Sequence, residues 1–343
     1  MFATLSTPLL LSAFAAAALV ILIGGTRMTG MADRLADRTG LGEALVGGLM
    51  LGAATSLSGT LVSVTAALDG RASLAFSNGI GGIAAQTAFL ALADLIHRRA
   101  NLEHAAADLA NVFQGTLLLL LLCLPLLAWV TPPFAVFAVH PVSVVIVAVY
   151  AMGVVASARV RRKPMWTPVQ TPFTQLDAPD EPVSADGATW RLALRFAVLM
   201  VAMGGAGIVV AKSAGVLTDR LAVSESLVGA LATAVVTSLP ELVTTLAAVR
   251  RGALQLAVGG IIGGNTFDML FLVLSDAGYR AGSLYHAIGP DDLFWLVLGA
   301  MMTAILTLGQ LFRQRAGPGN IGLESASILL LYAGAITLQS TVG

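Results

Sequence analysis

The stretch TSLPE at residues 237–241 has a near copy, TSLSG, at residues 55–59, which lies 182 positions earlier. At this offset, 22 of the 60 residues in 35–94 are identical to those in 217–276, with no gap. Glycines and charged residues are among the matches, so a shared apolar composition does not explain them. Self-similarity over such a length predicts that the chain consists of two copies of one unit.

The composition is that of a membrane protein. Hydrophobic residues make up 57% of the 343-residue chain and charged residues 11%, against about 25% charged in soluble domains. The formal net charge is zero, which gives no indication of nucleic-acid binding. Ten apolar stretches are long enough to cross a bilayer, and they predict an all-α protein with ten transmembrane helices. They run roughly over 7–25, 43–68, 73–96, 113–131, 135–156, 189–211, 225–249, 254–276, 291–312 and 321–341.

Five predicted spans fall in each half, and because five is odd, the two halves must enter the membrane from opposite sides. Inverted repeats of this kind are typical of secondary transporters, whose binding site lies where the repeats meet. We therefore predict a first five-helix repeat over 1–156 with its motif at about 43–94, and a second over 189–343 with its motif at about 225–276. The hydrophilic stretch 157–188 joins them as a linker.

The distribution of Lys and Arg predicts the orientation. With the N-terminus outside, 15 of these residues fall in inner loops and four in outer ones. Because positive residues favour the cytoplasmic side, we expect both termini outside and 157–188 in the cytoplasm. The first span has no basic segment before it, which favours a membrane helix over a signal peptide.

The second repeat carries the residues of a candidate ion site. Thr237 and Glu241 are four positions apart and share a helix face, while Pro240 breaks the backbone hydrogen bonding of the preceding turn. Asp268 follows 27 residues after Glu241, next to four glycines and the amide oxygen of Asn265. Two acids within the membrane indicate an ion site, and hard oxygen ligands favour Na+, Ca2+ or H+. The alternative is a structural acid pair that hydroxyl groups satisfy.

The segment from Ala232 to Phe271, ATAVVTSLPELVTTLAAVRRGALQLAVGGIIGGNTFDMLF, resembles the alpha repeat of the cation/Ca2+ exchanger superfamily, typified by sodium/calcium exchangers. The resemblance implies two inverted five-helix halves and counter-transport of cations by alternating access. It also implies that Glu241 and Asp268 coordinate ions, and that Thr237 and Ser238 contribute hydroxyl or carbonyl oxygens.

The first repeat departs from this pattern. Ser58 replaces the proline and Gly59 the glutamate, and Gln86 lies opposite Asp268. The site residues expected from this repeat are Thr55, Ser56, Ser58 and Gln86. A lost glutamate removes up to two oxygens and one negative charge from a site in which Ca2+ takes six to eight oxygens. Either the ion choice or stoichiometry is altered, or Gly59 only lets helices pack closer while other oxygens complete a Ca2+ site.

The predicted function is a secondary cation antiporter of the sodium/calcium exchanger type. The alternatives are a monovalent exchanger such as Na+/H+, and a non-transporting membrane derivative of the family. The sequence has no zinc-protease motif, nucleophile elbow or P-loop, so neither an enzyme nor an ATP-driven pump is predicted. No cofactor is expected, and the predicted partners are small cations and the lipid bilayer. Asp94 and Asp276 close their spans, where we expect water to solvate them.

Overall fold

The protein is described by a computed structural model over residues 2–39, 55–97, 99–174, 189–317 and 321–342. Helices dominate both halves. The first half contains α1 (Thr7–Thr39), α2 (Leu57–Leu68), α3 (Ala72–Ile96), the short α4 (Leu102–Ala105), α5 (Leu109–Val130) and α6 (Pro141–Arg162). The second half contains α7 (Thr189–Leu221), α8 (Glu225–Thr237), α9 (Leu239–Arg251), α10 (Leu254–Gly278), α11 (Pro290–Phe312) and α12 (Leu323–Val342).

The helices of the two halves follow the 182-residue offset of the sequence. Helix α1 shifted by 182 gives both ends of α7, and α3 shifted by 182 gives both ends of α10. The pairs α2 and α9, α5 and α11, and α6 and α12 agree to within two residues at each end. The two halves therefore share one order of helices with nearly the same lengths.

Eight described helices are long and apolar enough to cross a membrane, and the bent pair α8 and α9 makes a ninth such span. The chain is a multi-pass membrane protein. The predicted span 43–68 lies partly outside the described residues, and its described part is the 12-residue helix α2. A total of ten spans therefore stays a prediction.

The break predicted in the second repeat lies at Ser238, where α8 and α9 meet at 48°. Ser238 has φ −95° and ψ 3°, and Pro240 occupies the first turn of α9, where its missing N–H costs nothing. Ser56, the corresponding residue before α2, has nearly the same conformation, with φ −81° and ψ −2°. Because Ser58 stands where the proline would be, the first repeat adopts this conformation without a proline.

Helices α3 and α10 form the centre of the molecule. The apolar window of α3 is 83% buried, against 28% for α1, so α3 lies inside the bundle and α1 at its edge. Small residues permit this central packing: a Cβ on Gly81 of α3 would lie 2.4 Å from the Cα of Ala230 in α8. In a membrane, such close backbone contact is a main source of helix association.

Two glycines, one in each half, each pack against a residue of the other half. A Cβ on Gly25 of α1 would lie 2.3 Å from Cγ of Pro240, and one on Gly207 of α7 would lie 2.8 Å from the carbonyl oxygen of Ser58. Gly207 and Pro240 are the residues 182 positions after Gly25 and Ser58. Each half thus places the same glycine against the same position of the other half.

The expectation that water solvates Asp94 is wrong, because its side chain is fully buried. Its Oδ1 accepts a hydrogen bond from the backbone N–H of Leu102 at 2.6 Å, and its Oδ2 accepts one from that of Gly322 at 3.1 Å. Loop N–H groups that are buried at a helix end need acceptors, and the carboxylate supplies two. Gly322 belongs to the other half of the chain.

Asp276, also predicted to be solvated, is equally buried. Its Oδ1 accepts from the N–H of Leu284 at 2.9 Å, and its Oδ2 accepts from the N–H of His140 and the hydroxyl of Ser143, both at 2.7 Å. Leu284 and His140 correspond to Leu102 and Gly322 at the 182-residue offset. The two aspartates therefore make reciprocal bonds, each one holding a loop of the opposite half.

Candidate ion-binding site

The candidate site lies where the two Thr-Ser breaks meet the central helices α3 and α10. Glu241 is in the first turn of α9 and is 7% exposed, while Asp268 is in the middle of α10 and is 2% exposed. The site therefore contains two carboxyl groups that are both removed from solvent.

Asp268 is held by side chains of the first repeat. The Ser56 hydroxyl donates to its Oδ1 at 2.8 Å, and the Gln86 amide donates to its Oδ2 at 2.7 Å. The same Gln86 amide nitrogen lies 3.3 Å from the hydroxyl oxygen of Ser238. Four of the residues proposed from sequence, two from each repeat, thus form one hydrogen-bonded group.

Glu241 is held less completely. The side chain of Thr55 hydrogen-bonds its carboxyl group, but Oε2 has no hydrogen-bond partner. The buried oxygens Oγ of Ser58, Oε1 of Gln86 and Oδ1 of Asn265 also lack a partner. Buried polar atoms in proteins are nearly always satisfied, so these oxygens indicate places where a cation or water completes the shell.

Two further residues proposed from sequence have other contacts. The Thr237 hydroxyl donates to the backbone oxygen of Ala234 at 3.1 Å, which leaves its lone pairs available. The Asn265 amide nitrogen lies 3.1 Å from Thr87 Oγ1 and 3.4 Å from the carbonyl oxygen of Ile83. Asn265 therefore turns its amide nitrogen towards α3, and among the described contacts no hydrogen bond joins it to either carboxyl.

Asn78 is a residue that sequence reasoning did not propose for the site. Its amide nitrogen donates to the backbone oxygen of Gly59 at 3.1 Å and to the hydroxyl of Ser63 at 2.8 Å, and its own Oδ1 has no partner. The sequence signal for Asn78 is a polar residue next to the glycines of SNGIGG at 77–82. Asn78 fixes the backbone of α2 at the position that corresponds to Glu241.

Charge in the site is uncompensated by protein cations in the part of the chain that the structure describes. The ion pairs found there join Arg71 to Asp219 and Glu225, and Lys212 to Asp69. Within those described ranges no three Asp, Glu, His or Cys side chains form a metal-binding group. The chemistry available is thus that of two carboxyls with hydroxyl and amide oxygens, which suits weakly held, exchangeable cations better than a resident metal.

Long membrane helices that enclose two acids joined to hydroxyl and amide groups define a class: multi-pass membrane proteins with a candidate ion site inside the helix bundle. The chain matches the family described as sodium/calcium exchanger protein over residues 9–159 and 191–341. Since both halves match over nearly their whole length, this chain belongs to the sodium/calcium exchanger family. The resemblance noted from the sequence is confirmed, and the family consists of transporters rather than enzymes.

Similar proteins agree with this assignment. The Escherichia coli (strain K12) inner membrane protein YrbG is 33% identical over 121 residues, which are 35% of this chain and 37% of YrbG. This match spans little more than a third of the relative's length. The sodium-calcium exchanger NCX_Mj, soaked with 2.5 mM Na+ and 0.1 mM Sr2+, has a TM-score of 0.62 at 17% identity, and the match covers 97% of this chain and 99% of that one.

The H+/Ca2+ exchanger CAX has a TM-score of 0.66 at 14% identity, with 97% of this chain and 87% of that chain covered. At such low identities these two structures show a common fold and no more. Family membership itself rests on the match over both halves of the chain.

Proposed function

We propose that this protein is a secondary active cation antiporter of the sodium/calcium exchanger type, which binds Ca2+ and/or Na+ at Glu241 and Asp268. H+ is the alternative coupling ion. Further ligands come from both repeats. They are Thr55, Ser56, Ser58 and Gln86 from the first, and Thr237, Ser238 and Asn265 from the second.

One observation carries the proposal: the shell around the acids of the second repeat is completed by the first. Ser56 and Gln86 hold Asp268 at 2.8 and 2.7 Å, and Thr55 holds Glu241. A movement of one half against the other would therefore change the oxygens around both carboxyls. That is the requirement for a site that opens alternately to the two sides of a membrane.

The crossed contacts support a pair of inverted repeats over 1–156 and 189–343. Each aspartate at the end of a central helix bonds to the opposite half, and each glycine on the long first helix of a half packs against the opposite break. Such reciprocity is what a two-fold axis between the halves would produce. With both termini outside, the 157–188 linker lies in the cytoplasm.

The donor set decides which cations fit. Two carboxylates balance one divalent ion or two monovalent ions, and they supply at most four of the six to eight oxygens that Ca2+ takes. The unpartnered oxygens of Ser58 and Gln86 and the hydroxyl of Ser56 add neutral ligands. The set therefore fits Ca2+ without a third acid, and it also fits Na+.

Flux into proteoliposomes tests the proposal. Vesicles that contain the full chain are loaded with Na+ and diluted into Na+-free buffer with radioactive Ca2+. We expect uptake that requires the outward Na+ gradient and falls to the level of empty vesicles in Glu241→Gln and Asp268→Asn. Glu225→Gln is the matched control, because Glu225 is an acid of the same half that pairs with Arg71 away from the site.

Three results would contradict the proposal or change its terms. Na+-driven pH change without Ca2+ uptake would make the protein a monovalent exchanger. Ca2+ uptake driven by a pH gradient alone would show that H+ is the coupling ion instead of Na+. A parent protein that shows neither flux nor any stabilisation by ions would be a non-transporting derivative.

A further inference from the structure

The first repeat lacks a carboxyl at the position that corresponds to Glu241, and a side chain of the second repeat fills that space. Gly59 lies 182 positions before Glu241 and is buried. A Cβ built on Gly59 lies 2.7 Å from Cε2 of Phe271, 3.2 Å from its Cζ and 3.5 Å from Oγ1 of Thr237. The Cβ of any side chain at position 59 would therefore contact the Phe271 ring and lie next to the hydroxyl of Thr237, a proposed ligand.

Phe271 cannot move aside easily. It lies three residues after Asp268 on α10 and is 4% exposed. Its Cβ and Cδ2 lie 3.6 and 3.8 Å from a Cβ built on Gly79, so the ring sits between two glycines of the first repeat. Its far side meets Phe267 edge to face, with ring centroids 6.5 Å apart at 85°. Phe267 in turn packs on Tyr150, with centroids 6.3 Å apart at 74°.

Tyr150 of α6, Phe267 and Phe271 thus form a row of three contacting aromatic rings, and the Phe271 ring is its last member. Packed interiors leave few voids, so the row fixes the ring and the ring excludes larger residues from position 59. At the equivalent places in the second repeat, Glu241 and Ile261 replace the two glycines, while the ring itself has the counterpart Phe89. The two repeats therefore share the aromatic ring and differ in the two residues that lie against Phe271 in the first repeat.

We propose that Phe271 is a specificity-determining residue, whose ring takes the place of a third carboxyl and keeps the site at two acids. This inference rests on the proposed function. It restricts the cargo to cations whose summed charge two carboxylates balance, which means one divalent or two monovalent ions at a time. A third acid would allow a divalent and a monovalent ion together.

A double-mutant cycle in the full chain tests this inference. The variants are Gly59→Glu, Phe271→Ala and the two combined. Two quantities are measured in detergent: the melting temperature without ions, and the concentration of Ca2+ that gives half of the Ca2+-dependent stabilisation. We expect Gly59→Glu to lower the melting temperature, because its side chain meets the ring. In the Phe271→Ala background the loss should be at least halved, and Ca2+ affinity should exceed that of the parent by about tenfold.

Leu272→Ala is the matched control. Leu272 is the neighbour of Phe271 on α10, and its Cδ2 lies 3.5 Å from a Cβ built on Gly79, while the closest atoms to a Cβ on Gly59 belong to Phe271 and Thr237. Removing Leu272 opens space beside Gly79 and takes away none of the atoms nearest to a Cβ on Gly59. We expect Leu272→Ala to give no rescue of Gly59→Glu.

If the Gly59→Glu variant does not fold, a second cycle with Gly59→Ala and Phe271→Ala takes its place. This cycle adds only a methyl group at position 59. We expect the methyl to destabilise the parent and to be tolerated without the ring. Equal losses in both backgrounds, or a Gly59→Glu variant as stable as the parent, would overturn the inference. So would a stable Gly59→Glu, Phe271→Ala protein whose Ca2+ affinity equals that of the parent.

The outcomes separate this inference from the proposed function. A parent protein without any ion-dependent stabilisation or flux would contradict the proposed function, although the two substitutions could still couple. Normal exchange by the parent without coupling between positions 59 and 271 would leave the proposed function standing and remove the role of Phe271.

Discussion

The two repeats differ in chemistry far more than in backbone. In the second, Glu241 and Asp268 provide the charge of the candidate site. In the first, Gly59 and Gln86 stand at the same positions, and neither is charged. Yet α1 and α3 reproduce both ends of α7 and α10, and α2 begins after Ser56 as α9 begins after Ser238. The fold therefore does not depend on the acids of the site.

The comparison separates the residues that build the frame from those that we propose to bind the ion. Small residues at close helix contacts and buried aspartates at helix ends recur in both halves. Among the site residues that diverge between the halves, Gln86 and Asp268 hydrogen-bond to each other. Substitutions at equivalent positions of the two repeats test this distinction.

The largest effect is expected at the crossed glycines. In Gly25→Ala the new methyl meets the rigid ring of Pro240 at 2.3 Å, and in Gly207→Ala it meets a backbone oxygen at 2.8 Å. Overpacking of this kind costs about 1–3 kcal/mol, so both variants should unfold at lower temperature or denaturant concentration than the parent. Gly205→Ala is the control, because Gly205 is exposed and no atom lies within 4 Å of a Cβ there. If Gly25→Ala were as stable as Gly205→Ala, the halves would not be packed as described.

The reciprocal aspartates should have effects of about the same size, because each lost partner costs as much as one overpacked glycine. In Asp276→Asn the new amide group cannot accept from all three donors, and each donor left without a partner costs about 1–3 kcal/mol. Asp94 has two such donors, so Asp94→Asn should be destabilising by a smaller amount. Equilibrium unfolding in detergent measures both losses. The exposed Asp291→Asn should be neutral, and an Asp94 effect larger than that of Asp276 would contradict the ranking.

Glu103 and Tyr285 lie 182 positions apart, at equivalent places in the two halves, and only Glu103 should make stability depend on pH. The Glu103 side chain is 1% exposed and faces Asp94 and Glu324, and burial together with these two acids raises its pKa well above the ordinary 4.5. Folding therefore favours the protonated form. Stability should be fully present below pH 4.5 and decline as the pH rises towards the raised pKa, by at most about 1.4 kcal/mol per pH unit.

Glu103→Gln should make this decline shallower than that of the parent, since the amide stays neutral and the contribution of Glu103 is lost. Melting temperatures between about pH 5 and about pH 8 measure the slope. Tyr285→Phe should leave the slope of the parent unchanged, because burial raises the pKa of the Tyr285 hydroxyl above its ordinary 10 and the hydroxyl stays protonated throughout. A parent protein whose stability rises over this range would refute the prediction.

The smallest effect is expected at the two serines of the breaks. Ser56 donates to Asp268 at 2.8 Å, whereas Ser238 lies 3.3 Å from the Gln86 amide nitrogen. A hydrogen bond is worth about 0.5–1.5 kcal/mol, so Ser56→Ala should weaken cation affinity by about 3–10-fold. Ser238→Ala should have a smaller effect in the same thermal-shift titration. The reverse order would show that Ser238 contributes more to the site than Ser56.

Much of the frame could be predicted from the sequence. Apolar runs located the long helices, and the 182-residue offset revealed the two copies, because both signals are local or periodic. The solvated state expected for Asp94 and Asp276 was wrong, since a residue at the end of a span looks exposed until the opposite half is placed over it. Only the assembled fold shows the loop donors that require these carboxylates.

The sequence indicates candidate members of the site but not their contacts. The motif indicated Glu241 and Asp268, and the offset indicated Ser56 and Gln86. That Gln86 would donate to Asp268, or that Phe271 would fill the space beside Gly59, depends on side-chain packing between helices far apart in sequence. No spacing rule contains that information.

The crossed aspartate bonds bear on how such a chain could originate. Asp94 accepts one bond from Gly322 and Asp276 accepts one from His140, so a half by itself leaves one oxygen of its aspartate and one loop N–H without a partner. A single copy of the unit could make both bonds only as a pair of identical subunits. In one fused chain the two copies are free to differ, and here one carries Glu241 where the other carries Gly59. Two identical subunits could not differ in this way.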